Sequence, residues 1–300
     1  MLEAFTAHPG FFIAACGVLG LLVGSFLNVV AYRLPIMLER QCREQCAELA
    51  QGPDAPVVPE RATAERFDLL LPRSACPLCG APITALQNIP VVSYLALRGR
   101  CAGCRAPISP RYPLVELLTG ITSATVAWQF GFGTAALAGL VLTWFLIALT
   151  IIDIDHQLLP DDLTLPLLWL GLALSLTSAG SGRAGVPIDP RSSILGAVAG
   201  YLSLWCVYHL FRLATGKEGM GYGDFKLLAA LGAWLGWQML LPIVLVAAAA
   251  GACVGIVMLA ARGKGRHTPI AFGPFLAAAG WLMLLFGHSL VARYLGLFSR

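Results

Sequence analysis

The stretch from residue 11 to residue 32, FFIAACGVLGLLVGSFLNVVAY, carries no charged side chain and stops at Arg33. As a helix, those 22 residues would rise about 33 Å, enough for the roughly 30 Å of hydrocarbon in a bilayer. A secretory signal would put its positive charge ahead of a shorter apolar core, and residues 1–10 hold no Lys or Arg. The run is therefore read as a retained membrane span.

The pattern recurs. Apolar runs follow at about 113–130, 134–152, 163–178, 193–214, 225–236, 239–261 and 271–292, separated by Gly, Pro or charged breaks. The composition agrees: 58% hydrophobic residues, 12% charged and a mean hydropathy of +0.76, against about 45–50% and about 25% in soluble chains. Disorder, a disulfide-rich secreted scaffold and a coiled coil are excluded. The fold class expected is an all-α polytopic membrane protein of about eight helices, or seven if the short run 225–236 is re-entrant or tilted. A net charge of +4 is too small to suggest nucleic-acid binding.

Charge is unevenly placed. Residues 33–112 hold 17 of the 36 charged side chains. The chain thus divides into a first span (1–32), a polar insert (33–112) and a membrane bundle (113–300). Threading eight spans puts 16 of the 20 Lys and Arg on the side of the insert, which the positive-inside rule makes cytoplasmic. Without the long insert, that assignment rests on Arg212, Lys217, Lys226, Arg262, Lys264 and Arg266.

Within the insert, CPLCG and CAGC form two Cys-x2-Cys knuckles, Cys76/Cys79 and Cys101/Cys104, 21 residues apart. Two such knuckles supply four thiolates for a tetrahedral structural zinc site. The alternatives are two disulfides or four free thiols, and a reducing cytoplasm disfavours disulfides. A closed four-cysteine site has no open coordination position, so no catalysis is assigned to it. Cys42 and Cys46 read as ordinary cysteines of a charged helix; Cys16, Cys206 and Cys253 sit in apolar runs.

The acids of the bundle are few. Asp153, Asp155, Asp161 and Asp162 lie in TIIDIDHQLLPDDLTLP, and Asp224 in GKEGMGYGDFK, after Gly219, Gly221 and Gly223. Both segments fall on the expected cytoplasmic side. An ionisable group at the end of a span is costly without water or a partner, which makes it a functional candidate. Two adjacent carboxylates share a proton, one serving as base and the other as acid. The competing reading pairs Asp153 and Asp224 with Lys226 or Arg212; Asp161 and Asp162, after Pro160, read as helix N-caps. No zinc-protease helix, serine elbow or phosphate-binding loop is present. A proton-relaying transporter would need acids spread through the membrane depth, and a bare scaffold would leave the glycine-flanked Asp224 unexplained.

GSFLNVVAYRLP, the two knuckles around NIPVVSYLALRGR, RYPLVELLTG, IDIDHQLLPD, KEGMGYGDFKLLAALGAW and FGPFLAAAGW together resemble the bacterial type IV prepilin peptidases, over about residues 20–285. The resemblance implies a GxGD-type aspartic protease of the bacterial inner membrane. Its substrates would be type IV prepilins or type II secretion pseudopilins, cut on the cytoplasmic side after Gly, before a residue that is usually Phe. It also implies N-methylation of the new N-terminus with S-adenosylmethionine. Carried over, the catalytic aspartates fall on Asp153 and Asp224, and the zinc-type cysteines on Cys76, Cys79, Cys101 and Cys104. No residue is assigned to the methyl donor, whose place in the insert is inferred only from its need to be reached from the cytoplasm.

Overall fold

The structure, a computed structural model, describes residues 8–51, 67–177, 189–217, 219–262 and 271–298. The break between the apolar runs 163–178 and 193–214 falls largely outside the described residues, as do Lys264 and Arg266. The α-helices of the described residues are α1 (Pro9–Gln51), the short α2 (Val92–Ala96), α3 (Arg111–Phe130), α4 (Thr134–His156), α5 (Asp161–Thr177), α6 (Pro190–Thr215), α7 (Tyr222–Leu235), α8 (Leu240–Arg262) and α9 (Gly273–Phe298). No strand is formed among the described residues, only the isolated bridges Ala75–Pro82 and Arg100–Pro107.

Each of the eight apolar runs lies on its own helix. Four helical stretches, Pro9–Leu49, Thr134–His156, Pro190–Thr215 and Trp237–Met258, are by themselves long and apolar enough to cross a membrane. Their outer faces remain apolar: Val18, Leu22 and Phe26 on α1, Val198 and Leu202 on α6, and Ile256 and Val257 on α8 are all exposed. Exposed apolar side chains along these helices fit an integral membrane protein. The first helix does not stop at Arg33. It runs on to Gln51 through Pro35 and the charged segment that carries Cys42 and Cys46.

The chain forms two compact units. One is Gly17–Ile121; the other joins Met1–Cys16 to Thr122–Arg300. In the first unit α1 and α3 meet at glycines. A Cβ on Gly24 would stand 2.7 Å from the Glu116 Cα, and one on Gly120 would stand 2.8 Å from Leu21. The buried polar groups there are paired. Asn28 Nδ2 donates to the Tyr112 carbonyl at 3.2 Å, and Arg33 donates to the Asp68 and Pro72 carbonyls at 2.8 and 2.6 Å.

In the second unit α7 is the centre. At 14 residues it is about 21 Å long, shorter than the roughly 30 Å of hydrocarbon in a bilayer. Phe225 and every residue from Leu227 to Leu235 are buried. A helix apolar on all sides belongs inside protein, so this run is a core helix of its unit. Close packing is again built on glycine. A Cβ on Gly200 of α6 would lie 2.7 Å from the Leu228 carbonyl oxygen, and one on Gly196 would overlap the Gly232 carbonyl. Trp234 Nε1 donates to the Leu167 carbonyl at 2.7 Å, its ring lying over Gly171 of α5. These contacts set the register of α7 against α5 and α6, and with it the position of its first turn.

Candidate active site

Asp153 sits one turn before the end of α4. That helix ends because Gln157 turns left-handed (φ 52°) and donates its N–H to the Asp153 carbonyl at 2.9 Å. Asp224 occupies the first turn of α7, after an extended Gly221, and its N–H donates to the Gly221 carbonyl at 3.3 Å. The fold brings these two acids together: Asp153 is 5% exposed, Asp224 is 7% exposed, and the two carboxylates interact electrostatically. Asp153 Oδ2 and Asp224 Oδ1 are buried with no hydrogen-bond partner among the described residues.

The competing ion pairs are not what forms. Lys226 Nζ donates to both carboxylate oxygens of Asp161, at 2.6 and 2.8 Å. Neither Asp153 nor Asp224 has an ion-pair partner among the described residues. Lys226 and Asp224 are two residues apart on a helix, so their side chains point in different directions. Asp161 and Asp162 are not the caps that their position after Pro160 suggested. Both already lie in α5, and the cap is Pro160, whose carbonyl accepts from the Leu163 and Thr164 N–H groups at 3.1 and 3.0 Å. In that first turn their charge complements the helix dipole. Asp155 and His156 are exposed.

The glycines before Asp224 serve close approach, and none of the three has a left-handed backbone. A Cβ on Gly223 would lie 2.7 Å from Leu159, and one on Gly219 would lie 2.9 Å from the Phe211 ring. Leu159 and Gly273 complete the surroundings of the acids, and the sequence pattern had singled out neither. A Cβ on Gly273 would stand 2.5 Å from Asp153 Oδ2 and 3.2 Å from Leu159. The available signal was the Phe-Gly-Pro opening of the last apolar run.

The knuckle cysteines form a separate cluster in the first unit. The sulfurs of Cys76, Cys79, Cys101 and Cys104 all lie within 4.8 Å of one another. Cys76 and Cys104 are 3.8 Å apart, and Cys79 and Cys101 are 4.0 Å apart. Those separations exclude disulfides, whose sulfurs sit at about 2.05 Å. They match the edge of a tetrahedron around zinc, about 3.8 Å for Zn–S bonds of about 2.3 Å. The donor set therefore fits the ion. Each knuckle also turns amides onto its first sulfur. The Cys79 and Leu78 N–H groups bring the Cys76 thiol down to about 6, and those of Cys104 and Gly103 lower Cys101. A lowered thiol favours the thiolate that a metal needs.

The comparisons with known proteins agree across the whole chain. Residues 18–130 match the bacterial peptidase A24 N-terminal domain, and residues 140–256 match the type IV leader peptidase family. A protein of Stutzerimonas stutzeri is 52% identical over 98% of this chain and 97% of its own length. The chain belongs to the type IV leader peptidase family. Relatives from Pseudomonas aeruginosa (52% identical, covering 98% of this chain and 97% of its own) and Pseudomonas putida (53%, covering 95% and 94%) are, like the first, named prepilin leader peptidase/N-methyltransferase. No solved structure matches. The first family match takes in both knuckles, and the second takes in both buried acids.

Proposed function

We propose that this chain is a membrane aspartic endopeptidase that removes the leader of type IV prepilins or type II secretion pseudopilins after Gly, with Asp153 and Asp224 as its catalytic pair. The observation that carries this reading is the two buried acids, each with an oxygen that has no partner among the described residues and neither paired with a described cation. Burying carboxylates without partners is costly, so in a structural role they would be paired or replaced. At a site that must split a peptide bond, open oxygens are the reagent. One carboxylate, ionised, takes a proton from water as that water attacks the scissile Gly carbonyl; the other, protonated, donates to the carbonyl oxygen. The pair titrates as a unit, so the proton is shared between them.

The membrane setting supplies the geometry. The prepilin's apolar stem lies in the bilayer and its basic leader in the cytoplasm, so the cleavage point comes to the interface. The reading places the protein in the bacterial inner membrane with about eight spans and its site facing the cytoplasm, in line with the lysine and arginine distribution. The three-part division at 1–32, 33–112 and 113–300 is retained as its functional plan. Cys76, Cys79, Cys101 and Cys104 would hold a structural zinc that ties the two knuckles together. The relatives' names support a second activity, N-methylation of the new N-terminal residue, usually Phe. S-adenosylmethionine would supply the methyl group, and no residue of this chain is assigned to it.

The test is mass spectrometry of a prepilin incubated with the purified protein and S-adenosylmethionine. Loss of the leader and gain of one methyl group are expected. Substantial cleavage by well-folded Asp153→Asn or Asp224→Asn would overturn the assignment of the pair.

A further inference from the structure

Asp153 is buried, and it sits at the start of a helix to which it does not belong. Gly273 is the first residue of α9. Its backbone lies against the Asp153 carboxyl group, whose Oδ2 has no hydrogen-bond partner among the described residues. The first amides of a helix have no partner within it and favour an anion. A Cβ at residue 273 would stand 2.5 Å from Oδ2, closer than real Cβ contacts come, and 3.2 Å from its Cγ. The same Cβ would press on Leu159 at 3.2 Å, and Leu159 in turn lies against Gly223, the residue before Asp224. One missing side chain therefore sets the room for the first acid and touches the packing behind the second. Its backbone conformation is not left-handed, so the demand for glycine here is spatial.

We infer that Gly273 is a positioning residue of the aspartyl site: the start of α9 sets where the Asp153 carboxylate stands, in space that only a glycine leaves open. This rests on the reading of Asp153 and Asp224 as the catalytic pair. Nothing at residue 273 needs to touch substrate. Its effect runs through where Asp153 stands, and displacements near 1 Å at a reacting group can cost about 100-fold in rate.

The test compares Gly273→Ala with Gly280→Ala in the full-length protein in detergent. Gly280 is on the same helix and equally crowded, its Cβ falling 2.5 Å from Leu231, but its neighbour is an apolar side chain. Three quantities are read for each: kcat and KM for leader cleavage, and methylation of a peptide that already lacks its leader. Gly273→Ala is expected to lower kcat by about 100-fold, with KM within about threefold and methylation unchanged. Gly280→Ala should keep most of its cleavage. Cleavage by Gly273→Ala within about fivefold of the parent would overturn the inference. So would an equal loss in Gly280→Ala, or methylation falling in step with cleavage. If Asp153→Asn still cleaves, the catalytic reading itself has failed, and that result is distinct from all of these.

Discussion

The two units differ in how they treat their buried acids. In Gly17–Ile121 each buried polar side chain that matters is answered: Asn28 by the Tyr112 carbonyl, Arg33 by the Asp68 and Pro72 carbonyls, and Glu116 Oε2 by the Val91 N–H at 2.7 Å. In the helical bundle, Asp153 and Asp224 are no more exposed, yet each keeps one oxygen without a partner among the described residues. A satisfied buried group holds structure together; an unsatisfied one spends stability and calls for another explanation. The contrast supports the proposed reaction site without reference to any motif.

The hardest blow to that contrast comes from the acids. Asp153→Asn and Asp224→Asn should each reduce leader cleavage on the order of 10²–10⁴-fold, the usual contribution of a general acid or base. Each should leave thermal stability equal or higher, because an amide relieves an unpaired buried charge. Cleavage assays and melting curves on the same preparations decide it. A fall in stability alongside the loss of activity would mean that the carboxylates are structural after all, and the comparison would collapse.

Next in size is the sulfur cluster. Cys76→Ser or Cys101→Ser should take bound zinc, measured by plasma mass spectrometry, from about one ion per chain toward zero. Cys42→Ser and Cys46→Ser should leave it unchanged, since those exposed thiols lie outside the cluster. Equal loss from the Cys42 and Cys46 variants would move the site.

How much of this was legible in the sequence follows from the range of each interaction. Apolar runs and Cys-x2-Cys spacings are local, so all eight long helices and the four convergent sulfurs could be read along the chain. The extent of α1 was underread because Arg33 looked like a terminus, whereas its guanidinium is absorbed by the carbonyls of residues 68 and 72. The burial of α7 was missed because hydrophobicity does not distinguish lipid from protein as a neighbour; only the facing glycines of α6 do. Asp153 and Asp224 were visible as scarce charges. Gly273 was not, since its meaning depends on a carboxylate 120 positions earlier in the chain.

Glu116 tests the satisfied side of the comparison. Val91 is the centre of a tight turn, with φ 59° and ψ −46° and the Val92 N–H donating to the Pro90 carbonyl at 2.5 Å. That conformation is strained for a β-branched residue. The Glu116 carboxylate holds it by accepting the Val91 N–H. Glu116→Ala should therefore cost about 1–3 kcal/mol, the price of an unmet buried donor. It should also speed amide exchange over residues 88–98. If stability is unmoved, satisfaction does not measure structural worth in this unit.

The smallest effect is the most discriminating, because it concerns a charge close to the acids in sequence. Lys226 is two residues past Asp224 and is committed to Asp161, in a pair whose side chains are 28% and 53% exposed. Such partly exposed ion pairs contribute about 0–1 kcal/mol. Lys226→Met should lower stability by no more than that and leave leader cleavage within a few-fold. Were Lys226 instead the hidden counter-ion of the pair, its removal would strip the acids of their charge partner and change cleavage as severely as Asp224→Asn does. A mild phenotype in Lys226→Met and a severe one in Asp224→Asn, two positions apart on one helix turn, would locate the chemistry in the unpartnered oxygens and not in the surrounding charge.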